Sequence, residues 1–366
     1  MNNKILVFAG AAYTFGAERI TLQVISGLAQ NGYQLKVLVS HWNDGSFIKE
    51  LQKIEGVTYD TINLGWLYLT NFKWSFHSVR TMPGGLNKFL KIKKKFEPDY
   101  YYTTSYRPII LLKPFIASNT FIYNVQDPPT ESKRDMFFIK MANSKVKYYT
   151  ACSNYIGNEL KKINGKVAKK VKVVHNSGFY TGLEKNEITN AEPIFGIVGQ
   201  ILPRKGHEDI LEAMAIIKKE KNILIKLLIV GSGEQIFEYN LKKYIAENNL
   251  IEQVQWKGKV STNIYKGIDV LLVPSRNNEP MALVLFEAGY SSVPVITTTT
   301  GGSSEIIKNN YNGFVIPPNN PQMLAQQMLQ FYNNIALVIE YGKNGKENIE
   351  NNYLKDHMIK KIIQII

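Results

Sequence analysis

The stretch IFGIVGQILPRKGHEDILEAMAIIKKEKNILIKLLIVGSG, residues 194–233, decides the fold. An apolar run ends in a glycine turn, a segment with helical spacing over HEDILEAMAIIKKE follows, and a second apolar run closes on Gly-Ser-Gly. Two buried strands joined through a helix predict a parallel pair, because a parallel connection needs a long crossover. The same alternation continues through QVQWKG, DVLLVPS, PVITTTT and GFVIPP, and ends with the helical PQMLAQQMLQFY. It is already present at the amino end in KILVFAG, a helix over about 16–31, QLKVLVS, PDYYYTTS and TFIYNVQ. Strands alternating with helices predict parallel sheets whose ligands sit at the carboxyl ends of the strands.

A polar stretch without period, GFYTGLEKNEITNAEP, interrupts the pattern and reads as a linker. With 366 residues and roughly 150 per domain, two α/β domains fit the chain. The expected organisation is a first domain over 1–178, a linker over 179–193 and a second domain over 194–345. A helix over 346–366 is expected to pack back on the first domain. A cleft between the facing loops of the two domains is the expected site.

No apolar run approaches the roughly 20 residues that cross a bilayer. The start NKILVFAGAAY is read as a buried first strand, not a signal peptide, because a helix and second strand follow directly. A single cysteine, Cys152, excludes an internal disulfide and a cysteine-based zinc cluster, which fits the cytoplasm. The five histidines are scattered and no Asp-x-Asp or His-Glu-x-x-His appears, so no metal-ligand set is visible. The formal charge of +14 concentrates lysines at 87–99 and 161–174, as a solvated face or a dock for an anionic membrane surface. No reader motif for nucleic acid accompanies that charge. The aromatic-rich stretch 64–80 with the lysines of 87–95 is the expected peripheral docking region, on the inner face of the membrane.

In NNEPMALVLFEAG, residues 277–289, Glu279 and Glu287 frame an apolar run, with Pro280 suited to a first helical turn. On one helix the two carboxylates stand roughly 12 Å apart along the axis, too far for an acid/base couple. The free amides of Met281, Ala282 and Leu283 lie between them, a pattern suited to one extended ligand with hydroxyls at its ends and phosphate in the middle. Arg204 and Lys205 stand on a glycine-flanked loop after a strand, where two fixed cations suit a diphosphate. Gly16 opens a helix whose amides could meet phosphate, and Gln126 and Asp127 form a polar tip at the end of TFIYNVQ.

Taken in order, FGAER, VQDPP, ACSNYIGNEL, VVHNSG, GIVGQILPRKGHEDILEAM, IVGSGEQ, VQWKGKVS, EPMALVLFEAG and GGSSEII resemble the GT-B-fold retaining glycosyltransferases of family 4. The resemblance spans nearly the whole chain and is stronger in the second half. It implies two Rossmann-like domains facing each other across a cleft, the first binding the acceptor and the second a nucleotide sugar. It implies a metal-independent, retaining transfer, with no cofactor, from a nucleotide diphosphate sugar to a glycan or lipid-linked acceptor hydroxyl in bacterial surface polysaccharide assembly.

By the same resemblance Glu287 would bind ribose, Arg204 and Lys205 the diphosphate, and Glu279 with the following amides the sugar. The loop near Val260 would hold the base, and Gly16 would approach the phosphates. Two positions depart from the family pattern. Ala282 stands where glycine is common. Gln126 stands where a histidine precedes an acidic residue, and an amide cannot titrate. Asp127 could partly substitute. A non-catalytic nucleotide-sugar-binding subunit and a sugar-nucleotide epimerase are the alternative readings.

Overall fold

The computed structural model describes residues 3–9, 14, 16–64, 72–183, 192–260 and 263–366, with the backbone alone at 72–75 and 77–79. Gly10, residues 65–71 of the aromatic stretch 64–80 and the centre of the expected linker lie outside the described residues. The chain divides into two compact units, Met1–Asn176 with Lys355–Ile366, and Ser177–Leu354.

The first unit carries a seven-stranded sheet. Its strands are β1 (Lys4–Ala9), β2 (Gln34–Ser40), β3 (Val57–Ile62), β4 (Tyr100–Thr103), β5 (Phe121–Val125), β6 (Val146–Ala151) and β7 (Val171–Val173). They lie in the order β3-β2-β1-β4-β5-β6-β7, and every pairing is parallel. The central strands are buried, Ile5 to Ala9 and Phe121 to Val125 being apolar except for Asn124, whose Nδ2 donates to Tyr102 Oη. Helices on both faces of a parallel sheet leave no side of it wet, so period-two alternation is lost.

The second unit carries β8 (Phe195–Val198), β9 (Leu227–Val230), β10 (Val254–Gly258), β11 (Val270–Val273), β12 (Val295–Thr298) and β13 (Gly313–Ile316). All are parallel, in the order β10-β9-β8-β11-β12-β13. Phe195, Ile197, Leu227, Ile229, Val270, Leu272 and Ile296 form its core with Ile210, Leu211, Met214 and Ile217 of the helix His207–Lys221. From β8 the chain winds to β9 on one side, whereas β11 winds to β12 on the other. The crevice where β8 and β11 lie side by side is therefore a topological switch point, the place where open parallel sheets receive ligands. In the first unit β1 and β4 are the equivalent pair.

The last segment is two helices, Ile335–Asn352 in the second unit and Lys355–Ile363 in the first, where a single helix over 346–366 was expected. Gly342 of the first of these lies close against the Ser292 carbonyl, and Ile359 of the second lies against Gly27.

Candidate active site

Three loops converge at the carboxyl ends of β8, β11 and β12. The first leaves β8 and makes one tight turn, Pro203–Lys205, which Pro203 favours by its fixed φ. It ends at Gly206, with φ 75°, which caps the helix His207–Lys221. A Cβ there would lie 2.1 Å from the Pro274 carbonyl oxygen, so this close approach to the second loop requires glycine.

The second loop runs from β11 to the helix Leu283–Tyr290. Its Glu279 is buried, 7% exposed, and one carboxylate oxygen accepts from Lys205 Nζ at 2.5 Å and Arg204 Nη1 at 3.1 Å. Ser275 Oγ stands 3.4 Å from the same oxygen. The third loop, after β12, closes on the backbone of Glu279. Gly302 N–H donates to the Glu279 carbonyl at 3.0 Å, and a Cβ on Gly301, with φ 61°, would meet that carbonyl at 1.8 Å.

The structure thus brings Arg204, Lys205 and Glu279 together around a single oxygen. It also corrects the helix on which the paired glutamates were expected. Ala282, extended at φ −72° and ψ 116°, is the N-cap, and the helix begins at Leu283. Glu279, Pro280 and Met281 belong to the loop, and Glu287 lies one turn into the helix instead of two. Of the three amides expected in the first turn, only that of Leu283 is there, and the 12 Å axial separation does not apply. The cause is tertiary, since the Glu279 side chain is drawn to the cations and its carbonyl to Gly302, which holds the chain off the helix through Ala282.

Glu287 is buried and accepts from Tyr265 Oη at 3.0 Å. Val260 lies two residues past β10, exposed at the sheet edge, with β9 between that strand and β8. In the first unit Gly16 opens the helix Gly16–Gln30 after β1. Gln126 follows β5, and its amide is engaged at both atoms by Asn176. Gln126 Nε2 donates to Asn176 Oδ1 at 3.2 Å, and Asn176 Nδ2 donates to Gln126 Oε1 at 2.8 Å. Asp127 beside it is exposed.

Comparison with known proteins bears on the family and the fold. Residues 182–348 match the family model described as Glycosyl transferases group 1. The second unit is a glycosyl transferases group 1 domain. An uncharacterized glycosyltransferase of Methanocaldococcus jannaschii is 29% identical over 222 residues, 59% of this chain and 58% of that protein. A poly(ribitol-phosphate) alpha-N-acetylglucosaminyltransferase of Staphylococcus aureus is 28% identical over 176 residues, 48% of this chain and 35% of the relative. The chain therefore aligns with less than two thirds of either relative. The crystal structure of Anabaena HepE in complex with UDP-glucose superposes with a TM-score of 0.79 over 99% of this chain and 98% of that one, at 17% identity. The fold is GT-B.

Within this glycosyl transferases group 1 domain, several residues had no sequence signal as site members. Ser275, Tyr265, Asp209 and Arg276 reach the cluster or its supports from positions 4 to 67 residues away from their partners. GGSSEII carried resemblance only, yet Gly301 and Gly302 seat the Glu279 backbone. His207, set aside with the scattered histidines, is the first residue of the helix after the cations and is buried.

Proposed function

We propose that this chain is a retaining, metal-independent glycosyltransferase that moves a sugar from a nucleoside diphosphate donor to an acceptor hydroxyl. The observation that carries the reading is the pair of fixed cations, Arg204 and Lys205, held by Glu279 at the β8/β11 switch point of a glycosyl transferases group 1 domain. A diphosphate there meets two charge-assisted donors already in place, which stabilise the charge that develops on it as the glycosidic bond breaks. The Glu287 carboxylate suits ribose hydroxyls, Glu279 the sugar hydroxyls and the Val260 segment the base. Gly16, Gln126 and Asp127 are assigned to the same reaction by resemblance. HepE, crystallised with UDP-glucose, makes a uridine donor the first to try. The S. aureus relative and a lipopolysaccharide galactosyltransferase of the same fold support a surface-glycan acceptor.

The test is thermal stabilisation by UDP-, GDP- and ADP-sugars, followed by transfer assays. One nucleotide class is expected to stabilise the protein. Glu287→Ala should weaken that binding, and Lys205→Ala should cut turnover by about 10²-fold. Wild-type transfer rates in both variants would remove the site assignment. Donor binding without transfer to any acceptor would make the chain a sugar-nucleotide-binding subunit, the reading that the non-titrating Gln126 favours.

The acceptor side is assigned to an anionic membrane surface. Among the described residues, no helix is long and apolar enough to cross a membrane. The helix Phe72–Phe96 exposes Lys91, Lys94 and Lys95, and the helix Lys133–Ala142 exposes Phe137, at 58%, and Met141 beside Lys133, Arg134 and Lys140. Lys93 donates to the Phe115 carbonyl and Lys113 to the Met141 carbonyl, so both helices end at the same short segment. Apolar side chains ringed by cations suit a headgroup layer. Co-sedimentation should show binding to phosphatidylglycerol vesicles that raised salt and a Phe137→Ser/Met141→Ser variant both abolish. Equal binding to neutral vesicles, or none to anionic ones, counts against it.

A further inference from the structure

The cations and Glu279 come from different loops, so something must set the distance between those loops before a diphosphate arrives. Arg276 does this with both its backbone and its side chain. Its N–H donates to the Arg204 carbonyl at 2.9 Å. Its guanidinium grips Asp209 in a two-pronged pair, Nε to Oδ2 at 2.9 Å and Nη2 to Oδ1 at 2.8 Å, and Nη1 reaches Glu208. Asp209 is almost wholly buried in the first turn of the helix that follows the cations, whereas Arg276 is only 26% exposed. Lys205 is therefore bracketed, with Arg276 holding the chain at residue 204 before it and at residue 209 after it. Arg276 itself stands one residue past Ser275 and three before Glu279, on the loop that carries the carboxylate.

We infer that Arg276 is a positioning residue for donor binding: through Asp209 and the Arg204 carbonyl it fixes the two cations against Glu279, in readiness for a nucleoside diphosphate. The inference rests on the donor-site reading above. It differs from a third phosphate ligand, because three guanidinium N–H groups are already committed to Asp209 and Glu208 and two carboxylates neutralise its charge. Only an arginine offers the planar fork that spans both Asp209 oxygens, so a lysine keeps the charge and loses the registration.

The experiment compares wild type with Arg276→Lys, Asp209→Asn and Lys205→Ala. It measures calorimetric Kd for UDP, GDP and ADP, the kcat and KM of the preferred donor, and the ligand-free melting temperature. Arg276→Lys and Asp209→Asn are each expected to weaken nucleotide binding about tenfold or more, because small misplacements of pre-set groups are costly. An Arg276→Lys/Asp209→Asn double variant should be no worse than the poorer single one, since both break the same fork. That loss should persist where the ligand-free melting temperature matches wild type, which a purely structural role does not give. If Lys205→Ala loses binding while Arg276→Lys and Asp209→Asn keep wild-type Kd and KM, Arg276 is not a positioning residue. Tighter binding in Asp209→Asn would mark a freed Arg276 as a direct phosphate ligand and overturn the inference. If Lys205→Ala also binds as wild type, the donor site itself is misassigned and the inference falls with it.

Discussion

His207 sits one glycine away from Lys205, 2% exposed, with its ring edge-on to Phe237 at 6.5 Å between centroids. Its Nδ1 has no hydrogen-bond partner among the described residues. Burial, and then the charge of Lys205, hold its pKa down at about 4, against a smaller opposing pull from the Leu202 carbonyl. The ring is therefore neutral beside the cations, and protonating it would put a third positive charge into a dry place. Because the folded pKa lies below the unfolded value of 6.5, this site's stabilisation is fully present above pH 6.5 and is lost as pH falls towards 4. The loss is on the order of 3 kcal/mol. Urea midpoints measured from pH 7.5 to 4 should fall for the wild type and fall less for His207→Gln. Parallel profiles for the two proteins would show that His207 does not titrate in this window.

At the scale of elements, what local sequence could reveal and what it could not separate cleanly. The strand KILVFA and the helix GAERITLQVISGLAQ were legible because a parallel strand is one apolar run and its crossover helix shows a 3.6-residue period. The helix after Glu279 was not legible at its start. Pro280 carries a local preference for a first turn, but the Glu279 side chain answers to cations 74 and 75 residues earlier and its carbonyl to Gly302. Such long-range ties leave no periodic trace, and the Arg276–Asp209 fork, 67 residues apart, is hidden for the same reason. Within the lysine runs, side-chain partners are equally illegible. Lys170 donates to Asn119 and to the Asn143 and Val146 carbonyls, and Lys88 to the Thr61 carbonyl while pairing with Asp60. Part of the charge in the runs thus ties off carbonyls within the first unit, while Lys91, Lys94 and Lys95 stay exposed.

At the scale of the whole molecule, the chain enters the second unit at Ser177 and leaves it again at Leu354. The helix Lys355–Ile363 therefore belongs to the first unit, and its stability is coupled to residues more than 300 positions earlier. Lys355 Nζ donates to Ser26 Oγ and Gln30 Oε1, each at 3.0 Å, on the helix Gly16–Gln30. Met358, Ile359 and Ile362 are buried. Three such side chains contribute on the order of 5 kcal/mol by area, an upper bound because an unfolded chain is already partly compact. That is comparable with the whole stability of a small domain, so the effect of losing them should be large. Removing residues 355–366 should therefore make the first unit melt early and become protease-sensitive, while the core around Phe195, Ile210 and Leu272 keeps its own transition. Two separated transitions by calorimetry, with proteolysis confined to residues 1–176, are the expected outcome. A single transition at the wild-type midpoint would mean that the first unit does not depend on this helix. If both transitions instead fell, the last helix would not act on the first unit alone.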